Sequence, residues 1–357
     1  MRRCVWATAE GRSATRRPGV GLLTIITAVL VAGCTATSNG RTGEPTTAVS
    51  SATPETITTP GHPLDVDSPV PVPQTGAYVG AWVAPTVPQY TAQDRIAAVD
   101  AFEQQLHRPL DIVHTYRKWD DPTFSDAELE FIRDGETLLY SWAGTDTRTI
   151  ASGQQDAAIR QRADDIREMG SPILLEWRWE MDRPNLQPEV WSAADYVAAW
   201  KHIREIFNQE GVTNAAWVWC PTSDGFANGT APAYYPGDSE VDWVCVDAYP
   251  DDPSQSMVEL LRPFLQWAAG HPKPIIIGEY GVPRSIDGEQ RAVWLRAATQ
   301  MFRANPQIKA VSYFDGDPAQ HKPARSWSFT DDPVALAAFA EMANDPYFNP
   351  DNRQGPP

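Results

Sequence analysis

Several things are scarce in this sequence, and each scarcity removes a class of function. Positive charge is the first. The chain holds 29 Lys and Arg against 46 Asp and Glu, and residues 1–34 take five of the basic residues and one of the acidic ones. The remainder therefore carries a net charge near −21. Such a surface repels nucleic acid and anionic lipid headgroups, so neither is an expected partner. Histidine is scarce too, and His107, His202, His271 and His321 are scattered with no paired metal-ligand spacing. No Gly-x-Ser-x-Gly elbow occurs, which disfavours a Ser-His-Asp hydrolase, and no glycine-rich phosphate turn follows the first strand-like run, which disfavours an open nucleotide-binding sheet. No short-period repeat is evident.

What is present begins with an export signal. Arg12, Arg16 and Arg17 precede an apolar stretch at 19–32, which ends in VAGC at Cys34. At roughly 14 residues the stretch is shorter than the ~20 a spanning helix needs. The ending resembles the lipobox of bacterial lipoproteins, which implies lipidation at Cys34 and anchorage to the outer face of the cell membrane, with plain secretion as the alternative. Arg16 and Arg17 are followed by Pro18 and Gly19, so the choice between general secretory and twin-arginine export stays open. Residues 35–75 are rich in Ser, Thr, Pro and Gly and read as a flexible linker. A folded domain is expected over 76–347, with a tail at 348–357.

Within that domain eight apolar runs alternate with helical periods. The runs lie at 77–85, 110–119, 137–144, 172–180, 215–221, 241–249, 274–281 and 308–316. Helical segments are expected at 92–107, 125–134, 153–169, 192–210, 254–270, 288–304 and 333–344, with a short loop between the fifth and sixth runs. Strands alternating with helices predict a parallel sheet, and eight of them predict a closed (β/α)8 TIM barrel.

Two glutamates close two of the strand runs: Glu180 in PILLEWRWEMD and Glu279 in KPIIIGEYG. Barrel enzymes build their sites on the rim where strands end. A carboxyl pair there suits glycoside hydrolysis, one acid protonating the leaving oxygen and the other attacking the anomeric carbon or activating water. The structural alternative is a rim ion pair with Arg178 or Arg183. The 14 Trp and 11 Tyr supply flat faces on which sugar rings stack, although most of them are expected to be core.

The stretch from about Ile150 to Gly281 resembles glycoside hydrolase family 26, the retaining β-mannanase family. The blocks that carry the resemblance are IASGQQDAAIRQRADDIREMGSPILLEWRWEMD, DYVAAWKHIREIFNQEGVTNAAWVWCP, YYPGDSEVDWVCVDAYP and KPIIIGEYG, in that order. The resemblance implies Glu180 as general acid/base and Glu279 as nucleophile, at a retaining separation of about 5–5.5 Å. It implies that Tyr249, in the Asp247-x-Tyr249 motif, holds the nucleophile, that Trp219 and Tyr313 wall the sugar, and that no cofactor or metal is needed. Three positions depart from the family pattern: Trp179 stands where members usually have His, Asp182 where they have Asn, and Glu176 where they have Arg. The subsite beside the cut bond is therefore rebuilt, and the sugar is less determined than the chemistry.

His114, Tyr116 and Trp119 near the end of the second run, and Trp82 and Trp142 at the ends of the first and third, are further candidates for the cleft or for packing beneath loops. Cys220 and Cys245 fall on neighbouring strands, where a disulfide and two buried thiols remain equally open. The expectation is a monomeric, lipid-anchored glycosidase acting inside a β-linked polysaccharide, with β-1,4-mannan first and xylan, mixed-linkage glucan or envelope polysaccharide as alternatives. A catalytically weak carbohydrate-binding lipoprotein is the competing class.

Overall fold

The computed structural model describes residue 57 and residues 63–86, 90–252, 254–318 and 326–351. The signal at 1–34 with Cys34, most of the linker, and His321 lie outside the described residues.

Eight strands run β1 Tyr78–Val83, β2 Ile112–Arg117, β3 Thr137–Trp142, β4 Ile173–Trp177, β5 Ala215–Trp219, β6 Trp243–Ala248, β7 Ile275–Tyr280 and β8 Ile308–Asp315. Each pairs in parallel with the next, and β8 pairs with β1 to close the barrel. Ten α-helices surround it among the described residues: α1 Ala92–Leu106, α2 Asp126–Asp134, α3 Thr147–Ala151, α4 Asp156–Met169, α5 Gln187–Val190, α6 Ala193–Gln209, α7 Ser223–Ala227, α8 Met257–Ala268, α9 Gly288–Ala304 and α10 Pro333–Ala343. The fold is the expected (β/α)8 barrel. No helix among the described residues is long and apolar enough to cross a membrane.

Local signals fix the helix ends. Thr91 with Asp94, Ser125 with Glu128 and Ser256 with Glu259 form reciprocal capping boxes at the starts of α1, α2 and α8. Gly135 and Gly170 end α2 and α4 in left-handed backbone, which glycine adopts without penalty.

The strand pleat divides the core in two. Residues of one parity, among them Ile112, Leu139, Leu174, Val218, Trp243 and Ile276, fill the barrel interior. Those of the other parity, such as Leu138, Leu175, Trp217 and Ile277, pack outward beneath the helices. Much of the tryptophan is structural: Trp142, Trp177, Trp200, Trp219 and Trp243 are among the largest fully buried side chains.

The end of the predicted linker needs correction. Residues 63–75 are a strap across the floor of the barrel, at the amino ends of the strands. Val70 is 2% exposed and joins the interior core. The Trp243 indole N–H donates to Ser68 Oγ at 3.0 Å, Asp65 pairs with Lys273 at 2.6 Å, and Lys309 Nζ donates to the Gln74 carbonyl at 3.2 Å. Composition hid this, because only Val70 and Val72 pack on the interior core and other contacts are made by polar residues of the kind linkers carry.

Val70→Ala removes two methyl groups from a closed core, so the full chain should lose about 2 kcal/mol of stability in urea unfolding. An unchanged midpoint would show that the strap is not part of the cooperative unit.

Candidate active site

The site lies at the carboxyl ends of the strands, and its central acid is placed by an irregularity. Along β6 and β7 the register runs Val246 to Ile277 and then Asp247 to Glu279, so Gly278 is an extra residue in β7. Such a bulge breaks the alternation of faces and re-aims the next side chain. Ile277 and Tyr280 pack outward, while Glu279 turns into the mouth at 7% exposure. There Tyr116 OH donates to Oε1 at 2.6 Å and Tyr249 OH donates to Oε2 at 2.7 Å. Both hydrogen bonds favour the charged carboxylate, whereas burial and the charge of Glu180 push its pKa up to about 7.

Glu180 sits differently from expectation. β4 ends at Trp177, and Glu180 lies three residues beyond, on a rim turn in which both Arg178 (φ +52°) and Glu180 (φ +53°) adopt left-handed backbone. Non-glycine residues rarely accept that region, and such conformations collect at functional sites. The turn is held because the Arg178 N–H donates to the Trp142 carbonyl at 2.9 Å and the Glu180 N–H to the Cys220 carbonyl at 2.7 Å. Asp182 ties the same turn to β5 by accepting from Thr222 Oγ1 at 2.6 Å. Burial raises the Glu180 pKa, opposed by an ion pair with Arg183. The expected alternative of a rim salt bridge is therefore present, with Arg183 as the partner.

Three further groups line the floor. His114 is buried, with Nε2 2.7 Å from Ser141 Oγ and Nδ1 3.4 Å from Tyr116 OH, and burial pulls its pKa down to about 4, so its imidazole is neutral. Ser141 donates to Glu176, whose pKa burial raises to about 8. Asp247 is pushed well above the carboxylate range by burial and then by Glu279, and its Oδ2 has no hydrogen-bond partner. Burial thus works against a charge on both Glu176 and Asp247. Ligand atoms of Glu176, Asp247, Cys220 and Cys245 lie within 4.8 Å of one another, as a metal site would require. The two sulfurs are joined in a disulfide, however, and offer no thiolate. The bridge also answers the question the sequence left open.

A ring of half-buried aromatics surrounds Glu279. Tyr116 contacts Trp82, Trp179 and Phe314 at ring distances of 5.1, 5.2 and 6.4 Å, and Trp327 lies 4.3 Å from Tyr249. Trp179 is at the mouth, as its sequence position implied. Trp219, Tyr313 and Trp142 are not. Trp219 packs outward against Tyr235 and Trp267, Tyr313 packs against Phe329 and donates to the Trp327 carbonyl, and Trp142 stacks on Trp119 at 4.3 Å. All three have outward parity, so the aromatics facing the mouth from β8 and its loop are Phe314 and Trp327. Counting alternation back from buried Ala310 would have chosen Phe314 over Tyr313. His202 and His271 pair with Asp156 and Asp238, away from these residues.

The glycosyl hydrolase family 26 model matches residues 137–266, from the first residue of β3 into α8, a span that includes Glu180 and stops before Glu279. Endoglucanase H of Acetivibrio thermocellus is 29% identical over 299 residues, covering 77% of this chain and 31% of that protein. β-1,3-Xylanase TXYA of Vibrio sp. is 28% identical over 143 residues, 38% of this chain and 28% of that one. The chain spans about a third of the length of these curated relatives. The catalytic domain of a family 26 endo-β-1,4-mannanase from Bacillus sp. JAMB-750 superposes with a TM-score of 0.60 over 80% of this chain and 93% of its own, at 15% identity, which is a likeness of fold. The barrel is thus shared with that structure, and the segment from β3 into α8 is similar to glycosyl hydrolase family 26.

Tyr116→Phe or Tyr249→Phe removes one donor to the Glu279 carboxylate, an interaction worth about 1.5–3 kcal/mol. Either change should raise the Glu279 pKa and move the acid limb of the kcat/KM profile to higher pH, with a loss of roughly ten- to a hundredfold in kcat/KM. A profile that does not move would separate these phenols from the reacting carboxylate.

Proposed function

We propose that this chain is a retaining glycoside hydrolase that cleaves β-linked polysaccharide inside the chain, with β-1,4-mannan as the first candidate. The observation that carries the reading is a pair of buried rim carboxyls with different partners. Burial raises the pKa of both, but Glu279 accepts two phenolic hydrogen bonds while Glu180 pairs with the half-exposed Arg183.

In the first step Glu180 delivers its proton to the glycosidic oxygen as the Glu279 carboxylate attacks the anomeric carbon. The bond to the leaving sugar breaks and a glycosyl ester forms on Glu279. Esterification removes the charge on Glu279 and lowers the pKa of Glu180, which then takes a proton from water as that water attacks the same carbon. Hydrolysis of the ester restores both acids. Arg183 pairs with the Glu180 carboxylate, and a protonated carboxyl no longer attracts it, so the guanidinium is free to swing toward solvent when Glu180 carries its proton. Its side chain is already 45% exposed.

Among the relatives, one is named for a glucanase, one for a β-1,3-xylanase and one for a β-1,4-mannanase. Trp179, in place of a histidine beside Glu180, adds an apolar face at the point of cleavage. Another β-glycan, such as xylan, mixed-linkage glucan or an envelope polysaccharide, is therefore the second reading. Export and lipid anchorage through Cys34 remain part of the proposal on the strength of the VAGC ending.

Incubation of the full chain with β-mannans, xylans, glucans and envelope polysaccharides should release fragments with one of them. Glu279→Ala and Glu180→Ala should each abolish release, and proton NMR of the first product should show the β-anomer. Initial α-product would refute retention, and glycan binding without turnover, unchanged in Glu279→Ala, would support the binding class instead. On an activated aryl glycoside, which needs no acid for departure, Glu180→Gln should lose the alkaline limb of the pH profile. The acid limb should move to lower pH, because the negative neighbour that raises Glu279 is gone.

A further inference from the structure

The floor of the mouth holds a covalent link whose Cys220 backbone touches Glu180 and whose sulfurs lie against Gly278, the residue before Glu279. Val218 pairs with Trp243 and Trp219 with Val244, so the next position in register brings Cys220 opposite Cys245. Their sulfurs are bonded across a Cα separation of 4.3 Å, at 1% and 0% exposure inside the barrel. This seam has only two register pairs between β5 and β6, where β2 and β3 have six. The disulfide adds a covalent link to this short ladder, beside the Asp247 N–H that donates to the Pro221 carbonyl at 3.0 Å.

One side of the bridge touches Glu180 directly, and the other packs against the residue that precedes Glu279. The Cys220 carbonyl accepts the Glu180 N–H at 2.7 Å and so holds the strained rim turn. On the other side, a Cβ placed on Gly278 would lie 2.5 Å from Cys245 Sγ and 3.0 Å from Cys220 Sγ, so the sulfurs fill the space against the bulge that aims Glu279. Cys220 Sγ is 3.3 Å from Asp247 Oδ1, and Cys245 Sγ is 3.8 Å from Glu176 Oε1.

We propose that Cys220 and Cys245 are positioning residues for the catalytic pair: their disulfide sets the spacing of β5 and β6 beneath Glu180 and Glu279, and its conversion to a dithiol lowers turnover in a barrel that stays folded. The inference rests on the glycosidase reading. Conversion by a small dithiol breaks the S–S bond, delivers two electrons and two protons to give two S–H groups, and releases the reductant as its cyclic disulfide. Two consequences follow from the packing. Two unbonded sulfurs need more room than a bonded pair, and the neighbours that must yield are Gly278 and Asp247. A disulfide also has no hydrogen to donate, whereas each thiol has one, aimed at Asp247 or Glu176. Donation to Asp247, which faces Glu279, Glu176, Glu180 and Asp182, favours its ionised form and places a new negative charge beside the nucleophile.

The test uses the full chain. A non-reducing digest analysed by mass should yield the Cys220 and Cys245 peptides linked. Cys220→Ser/Cys245→Ser and Cys220→Ala/Cys245→Ala should keep a cooperative melt while kcat falls roughly tenfold or more, the scale of an ångström-level misplacement, with KM within about threefold. The serine pair keeps hydroxyl donors toward Asp247 and should move the acid limb upward further than the alanine pair, a difference that a purely structural bridge would not produce. If neither variant folds, native wild type titrated with dithiothreitol, its released thiols counted by alkylation, should lose kcat in proportion to bridge opening. Unlinked peptides, or variants with kcat within twofold of wild type and unmoved limbs, would overturn the proposal. If wild type cleaves no substrate, the glycosidase reading fails on its own. Infrared titration of the buried carboxyls in wild type and the serine variant then decides the positioning role, which an unchanged titration would refute.

Discussion

The extra residue in β7 is the constraint on which the site depends. Without Gly278 as an insertion in the ladder, Glu279 would follow the alternation set by Ile276 and Ile277 and point among the helices. With it, Glu279 stands opposite Asp247, within reach of Tyr116 on β2 and Tyr249 just past β6. Three strand ends thus converge on one carboxylate. The bulge is tolerated because its inward space is taken up by sulfur and carboxylate atoms instead of a side chain of its own.

Convergence has an electrostatic cost, met by protons more than by cations. Glu176, Glu180, Asp247 and Glu279 share the mouth, and Arg183 is the guanidinium paired with one of them. Burial raises the pKa of the two deeper acids and so favours their neutral form. A neutral His114 beneath Tyr116 fits the same pattern, since an imidazolium there would compete for the carboxylate that the phenols stabilise.

The strands and most helices were legible because apolar runs and helical periods are properties of contiguous residues: the eight predicted runs each contain one observed strand. Glu180, Glu279, Asp247 and Tyr249 were legible through motif and rim position. What escaped was set by parity and by distant contacts. Trp219, Tyr313 and Trp142 each lie at or near a strand's end, and their outward direction depends on register counted from the barrel interior. The strap at 63–75 escaped for a related reason, since Asp65 meets its partner Lys273 across 208 residues of sequence. Nothing local in a polar segment advertises such a contact. Cys220 and Cys245 could be placed on neighbouring strands but not paired, because pairing needs the register of the β5–β6 ladder.

The strap has a geometric consequence for access to substrate. Ile57 donates to Asn305 in the loop before β8, and Asp65 meets Pro272 and Lys273 just before β7, so the chain enters the barrel from below. The mouth that holds Glu180 and Glu279 opens at the opposite pole, so Ile57 and residues 63–75 occupy the face remote from it and leave the upper rim to the loops that follow the strands.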